Sequence, residues 1–562
     1  MSGGKRMTGK LKKTLCALCA LALLFGCTAC SESGAALTYD TIPTSSGGKD
    51  VERSAAEDDV FSLNSNSKRS FNPMIATNRS NQLICALVYE NMVEIDNDFN
   101  IIKNLIIDWS SNEDYTYWTF TVDQGHTFHD GTPVTAKDLR YSLDRAVTAD
   151  RFKGRFASYQ GASYDEYTLY VSLGIGDSQL PKLLNIPVVQ YGTYGDDYPM
   201  GSGPYMYSED HTRLLAYEGY IGYPIEVTAE DDGGSDDALG VQVTHKEDIT
   251  HPLDVIYIKE YTDAQSALDA FESSLIDVVI NDPSSYTNLG YASTNEIHTY
   301  ATTNMHYVVV NEAGALGRYS NFRYALNFAF DRENLVTLLH GNGVASPVAM
   351  YPTCDIYPTE LANSLGYDLA TCLAVLDNAG VKDYDEDGRL EYMSGSPQKV
   401  ELNFVVCSDS SAKTGVVRRF AEDMDSIGIT VNVSEMSWDD YMTAIEEGNY
   451  DLYYGEIRLR NDFDLTELMQ VRSKDNEKSN LNYSNSTDIS YEQYIKAYLA
   501  ATDMERAAAY QQLAELVSLN AMLIPIGFEK QQIICHRGVV KGIDANFGNP
   551  LYNFVNWEFV ED

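Results

Sequence analysis

Residues 125–146 read GHTFHDGTPVTAKDLRYSLDRA, and these 22 residues hold a strand exit, a tight turn and a capped helix. Just before them, Tyr117–Val122 (YWTFTV) alternates large and hydroxyl-bearing side chains, the period of a half-buried strand. Asp130-Gly131 then supplies a residue that tolerates positive φ, as a tight turn requires. Thr135 stands where an N-cap belongs, and Asp138 follows three residues later in a capping-box-like arrangement. Pro133 punctuates the approach. The stretch therefore predicts strand, turn and helix in that order.

The N-terminus carries a different pattern. Lys5, Arg6, Lys10, Lys12 and Lys13 precede the apolar run Leu15–Phe25 (LCALCALALLF), and no acidic residue interrupts them. Spanning a bilayer takes about 20 apolar residues. This run of 11 reads as the core of a signal peptide instead. It ends in Leu24-Phe25-Gly26-Cys27, which resembles a bacterial lipobox and predicts cleavage after residue 26 and lipidation of Cys27. Residues 27–57 are rich in Ser, Gly and Asp and poor in aromatics, so they are expected to form a flexible tether. No later segment is long and apolar enough to cross a membrane, which leaves the lipid as the expected membrane contact.

Charge narrows the partners. The chain carries 40 basic and 82 acidic residues, a net charge of −42. Cleavage would remove five basic and no acidic residues, so the mature charge would fall from −42 to −47. Such a chain repels phosphate backbones and anionic headgroups, which argues against nucleic acid as a partner. Cys30, Cys85, Cys354, Cys372, Cys407 and Cys535 lack framework spacing, so a disulfide-rich fold is not expected. Forty tyrosines accompany four tryptophans; most are expected to pack, and some suit a wet recognition cleft.

Several constellations invite a catalytic or metal reading. His126 and His129 have HxxH spacing, but on a strand and turn they would not face one another, and no third ligand is evident. Asp383, Asp385, Asp387 and Gly388 mimic the first half of an EF-hand loop, yet its twelfth position is Ser394 instead of a bidentate Glu. Gly201-Ser202-Gly203-Pro204-Tyr205 lacks the Lys-Ser/Thr pair of a phosphate loop and reads as a structural turn. There is no GxSxG elbow, and Cys535 and His536 would point to opposite faces of a strand. No catalytic residue, metal site or cofactor is assigned.

The segment FHDGTPVTAKDLRYSLDRA resembles the signature of the family 5 extracellular solute-binding proteins, receptors of oligopeptide, dipeptide and nickel ABC importers. Phe71-Asn72-Pro73 with Leu87–Val93, Trp109, Gly201–Tyr205, Ala267–Ile280 and Phe322–Val336 resemble further family segments in order. The resemblance runs from about Phe71 to Trp557, with Gly219–His251 as an acidic departure. It implies an α/β, two-lobed periplasmic-binding-protein-like fold (type II, cluster C) with an extra domain and a hinge. Residues 58–91, 190–300 and 529–562 would form lobe I, 92–189 the extra domain, and 301–528 lobe II. It also implies a monomeric, lipid-anchored receptor on the outer side of the cytoplasmic membrane, not an enzyme. That receptor would capture peptides for an ABC permease, or alternatively an oligosaccharide or chelated metal. By the same resemblance, the segment Gly455–Leu468 (GEIRLRNDFDLTEL) would contribute to the cleft. Asp462 or Asp464 would hold a ligand ammonium, and Arg458 or Arg460 a carboxylate.

Overall fold

A computed structural model of the chain describes residues 61–152, 154–227, 243–280, 295–339, 343–474, 476 and 480–559. The expected leader, Cys27 and the tether lie outside the described residues, as does the acidic core of the 219–251 stretch. The chain opens with β1 (Ser62–Ser65) and α1 (Arg79–Val88), whose Leu83, Ile84, Leu87 and Val88 are buried. Next come β2 (Ile106–Ser111) and β3 (Tyr117–Val122), then α2 (Ala136–Ala146), β4 (Tyr159–Asp165) and β5 (Thr168–Leu173). These four strands form an antiparallel sheet in the order β2-β3-β5-β4, covered by α2.

The opening motif folds for the local reasons its sequence carries. In β3, Trp118, Phe120 and Val122 are buried while Tyr117 and Thr121 face solvent, a clean period of two. Gly131 takes φ +82°, and Asp130 Oδ1 accepts from Thr132 N at 3.0 Å to hold the turn. Asp138 Oδ2 accepts from Thr135 N at 3.0 Å, closing the box at the start of α2.

The chain then builds β6 (Tyr205–Tyr207), β7 (Arg213–Ala216), β8 (Val255–Glu260), α3 (Ala264–Glu272) and β9 (Val278–Ile280). The glycines before β6 lie against α1. A Cβ on Gly201 would sit 2.1 Å from Val88 O, and one on Gly203 2.5 Å from Leu87 O. Close backbone approach explains the GSGPY turn, with no role for phosphate.

A long strand, β10 (Asn295–Val310), leads into the second half. There α4 (Ser320–Leu326), β11 (Val344–Ala345) and α5 (Leu369–Asn378) precede a small hairpin sheet of β12 (Val381–Lys382), β13 (Glu391–Ser394) and β14 (Ser396–Lys399). Then β15 (Glu401–Cys407), α6 (Ser411–Ser426) and β16 (Thr430–Met436) form a parallel unit. After α7 (Trp438–Glu447), β17 (Leu452–Arg458) returns beside β10. The sequence places a short strand at 450–452. It runs on to Arg458 because its backbone pairs with Asn304–Val310. The last long strand, β18 (Leu523–His536), leads back towards the first half.

One sheet of 11 strands joins everything, in the order β16-β15-β17-β10-β18-β9-β1-β8-β7-β6, with β11 also on β18. β10 and β18 run antiparallel through both halves, and their register breaks between Ala301 and Met305. Each half buries its own core. Val308, Phe404, Val417, Phe420 and Ile524 belong to one, Leu63, Ile84, Leu214, Ile256 and Ile533 to another. This is the two-lobed α/β arrangement that the resemblance implies. Many tyrosines among the described residues pack, and several hydroxyls find backbone: Tyr89 donates to Pro199 O at 2.8 Å, Tyr205 to Leu253 O at 2.9 Å and Tyr441 to Tyr454 O at 2.8 Å. The five cysteines among the described residues are buried and unbridged.

Candidate functional site: an arginine-lined cleft at the strand crossing

Where β10 and β18 pass between the halves they line a cavity of about 170 Å³, measured to water centres. Tyr300, Thr302 and Asn304 of β10, with Glu529 and Gln531 of β18, form its floor. The register break frees Thr302 from regular pairing, and its hydroxyl donates to Glu529 O at 2.7 Å. Arg79, Gln82 and Ala86 from one face of α1 make a wall. Arg151 and Arg155 come from the turn after α2, and Arg458 from the end of β17.

The lining is electrostatically one-sided. Arg79, Arg151, Arg155 and Arg458 converge on the cavity, and Glu529 is the sole acidic residue in its lining. Arg155 Nη1 donates to Asn185 O at 2.9 Å, and Arg151 Nη1 to Pro73 O. These carbonyls orient the guanidinium groups without neutralising them. Among the described residues no carboxylate lies within ion-pair distance of the four. Burial pushes Arg151 down to about 10, against an upward pull from Cys85 and with a smaller downward push from the charge of Arg458. Burial and the charges of Arg458, Arg151 and Arg460 push Arg155 down to about 9, with weak relief from Asp462. Enclosure and Arg79 likewise hold Arg458 below the ordinary arginine value. Arginine stays protonated at such values; the shifts express burial first and mutual repulsion second, and an entering anion would offset both.

The other end is acidic. Glu529 Oε1 lies 3.2 Å from His306 Nε2, and Glu529 Oε2 accepts from Asn304 Nδ2 at 3.0 Å. Asn304 also donates to Glu456 Oε1 at 2.9 Å.

The remaining expected site residues lie elsewhere. Arg460 Nη2 sits 2.6 Å from both Asp177 Oδ2 and Asp462 Oδ2, and Nη1 3.1 Å from Asp464 Oδ2. None of the four lines the cavity. The Asp462 side chain is wholly buried, and Asp464 Oδ1 accepts from Thr466 N at 2.9 Å. Burial and the neighbouring carboxylates raise Asp462 to about 7 against the opposing pull of Arg460. This cluster joins the second half to the segment around Asp177, and Asn461 Nδ2 donates to Lys182 O at 3.1 Å beside it.

His126 and His129 part company, as a strand and turn require. His129 Nε2 lies 3.0 Å from Gly203 O, and burial lowers it to about 4. His126, read from sequence as lacking partners, has three charged or titratable neighbours. Nδ1 lies 3.1 Å from Glu90 Oε1, Nε2 lies 3.2 Å from Asp123 Oδ2, and His245 shares that oxygen at 2.7 Å.

The profile of bacterial extracellular solute-binding proteins, family 5 Middle, matches residues 100–479 of the chain. The chain belongs to this family. This family 5 protein is thus a solute-binding component of an ABC transporter. It is 21% identical over 412 residues to the oligopeptide-binding protein AppA of Bacillus subtilis, covering 68% of this chain and 69% of AppA. Against the glutathione-binding protein GsiB of Pectobacterium atrosepticum, identity is 25% over 183 residues, 30% of this chain and 35% of GsiB. The solved structure of AppA with a nonapeptide superposes with TM-score 0.57 at 18% identity, covering 89% of this chain and 99% of that one. NikZ from Campylobacter jejuni, solved with Ni(L-His), gives TM-score 0.60 at 14% identity and the same coverages. At these identities the superpositions show a shared fold.

Sequence reasoning did not single out Arg79, Arg151 or Arg155 in this solute-binding protein. The run DRFKGRF at 150–156 places two arginines four apart, but nothing local separates cleft arginines from surface ones. Among the described residues no helix is long and apolar enough to cross a membrane.

Proposed function

We propose that this solute-binding protein captures short peptides through their carboxylates and delivers them to an ABC permease. The observation that carries this reading is four arginines gathered in one cleft, without ion-pair partners among the described residues. Arginines held this close repel one another, and an anionic ligand would relieve that repulsion. Arg458 and Arg155 would take a carboxylate in forked, charge-assisted hydrogen bonds. The acidic end at Glu529 would face the ligand's ammonium group. The names of AppA and GsiB point the same way, to peptides. The lobe boundaries at 300/301 and 528/529, and anchoring through Cys27 on the outer side of the cytoplasmic membrane, complete the proposal. A carboxylate-bearing metal chelate would satisfy the same arginines and is the second reading.

Calorimetric titration separates them. Di- and tripeptides with a free, and preferably acidic, C-terminus should bind, and C-terminally amidated versions should bind about 10- to 100-fold more weakly, the range of a charge-assisted hydrogen bond. Arg155→Gln and Arg458→Gln should lower affinity by a similar factor. Equal affinity for free and amidated peptides would sink the carboxylate reading. Binding of Ni²⁺–histidine complexes but of no peptide would replace the first reading by the second.

A further inference from the structure

The turn that links β12 to β13 within the hairpin sheet carries a chemistry that the cleft does not use. Asp383, Asp385 and Asp387 stand at alternating positions, followed by Gly388 at φ +86° and, three residues later, by Glu391. An EF-hand reading looks to the twelfth position, which is Ser394. The fold instead brings Glu391, at the ninth, onto the aspartates. Each of the four offers a carboxylate oxygen, and all four oxygens lie within 4.8 Å of one another. Ca²⁺ binds oxygen at 2.3–2.6 Å, so its coordination shell is about 5 Å across.

Acidic turns are common, and the decisive feature is Glu391. It is 2% exposed at the start of β13. Its Oε2 accepts from Tyr384 N at 2.8 Å, but its Oε1 is buried and accepts nothing. A buried carboxylate oxygen without a donor is uncommon and calls for a cation. The local cations do not meet it: Arg389 pairs with Asp425 at 2.5 Å, and the half-exposed Lys399 pairs with Asp387.

We propose that the Asp383–Glu391 turn binds one Ca²⁺ ion through Asp383, Asp385, Asp387 and Glu391. All four donors are oxygen, which suits a hard cation; the absence of His and Cys disfavours Zn²⁺. Water fills the remaining places of a 6- to 8-coordinate shell. Lys399 is displaced from Asp387 as the ion enters. None of these residues lines the cleft, so the ion braces the turn between β12 and β13 and leaves ligand affinity unchanged.

The test is titration of the full chain, stripped with EGTA and desalted, with CaCl₂ by calorimetry and by thermal unfolding. Binding to one site is expected with a dissociation constant of about 10⁻⁴–10⁻³ M, the range of extracellular calcium modules, together with a rise in Tm. Asp385→Asn and Glu391→Gln should each abolish it, whereas Lys399→Gln, which removes the competing ammonium, should tighten it several-fold. Absence of heat and of any Tm change up to 10⁻² M Ca²⁺ (roughly tenfold above that range) would overturn the proposal. So would binding that survives both carboxylate substitutions, because the ion would then sit elsewhere on this acidic surface.

Discussion

At the scale of single residues, His126 shows how a fold sets a charge. Its ring is 2% exposed. Burial opposes protonation, yet Glu90 and Asp123 outweigh it and raise His126 to about 9 from an ordinary 6.5. The folded state therefore holds this proton more tightly than the unfolded chain. The stabilisation is complete below about pH 6.5 and is lost as pH rises through about 9. Its size is on the order of 3 kcal/mol. Urea unfolding at pH 6, 7.5 and 9 should show stability falling across that window, and His126→Gln should flatten the dependence. Glu90 and Asp123 set the charge of this ring, and the His245 ring packs against it edge-on. The capping box of Thr135 and Asp138 was legible beforehand because its partners stand three apart. Glu90 stands 36 residues from His126, and His245 stands 122 from Asp123, so only folding joins them.

At the scale of elements, the segment after β17 divides two jobs that its sequence presents as one. Arg458 ends the strand and opens into the cleft. Leu459 N then donates to Thr303 O at 3.0 Å, and the backbone leaves the strand, with Phe463 reaching φ +56°. Arg460 is carried inward to Asp177, Asp462 and Asp464. Strand alternation stops predicting side-chain direction once the ladder ends, so Arg458 and Arg460 could not be told apart from spacing. Arg460→Met should therefore cost about 3–5 kcal/mol, because it strands buried carboxylates without their cation. Chemical denaturation would measure that loss. Peptide affinity of the folded fraction should hardly change, in contrast to Arg458→Gln.

At the scale of the whole molecule, β10 and β18 connect the halves, and the cleft lies on their register break. A ligand touching α1 and the turn after α2 on one side, and Arg458 on the other, favours the arrangement in which both sides reach it. Small-angle scattering should show the radius of gyration falling when a bound peptide saturates the protein. An unchanged radius would show that binding proceeds without closure. Much of the architecture was readable at this scale. The α3–β9 unit and the glycine turn before β6 each announce themselves in consecutive residues.

The sequence alone determined the strand, turn and capped helix of residues 117–146 and the family, because each is carried by side-chain periods and hydrogen bonds between near neighbours. Only the tertiary structure decided which arginines share a cleft, which aspartates bury with Arg460, and that Glu391 meets the Asp383 turn from the ninth position. Residues 79, 151, 155 and 458 come together through sheet pairing between strands hundreds of positions apart. Charge in this protein acts through space, across distances that spacing along the chain does not encode.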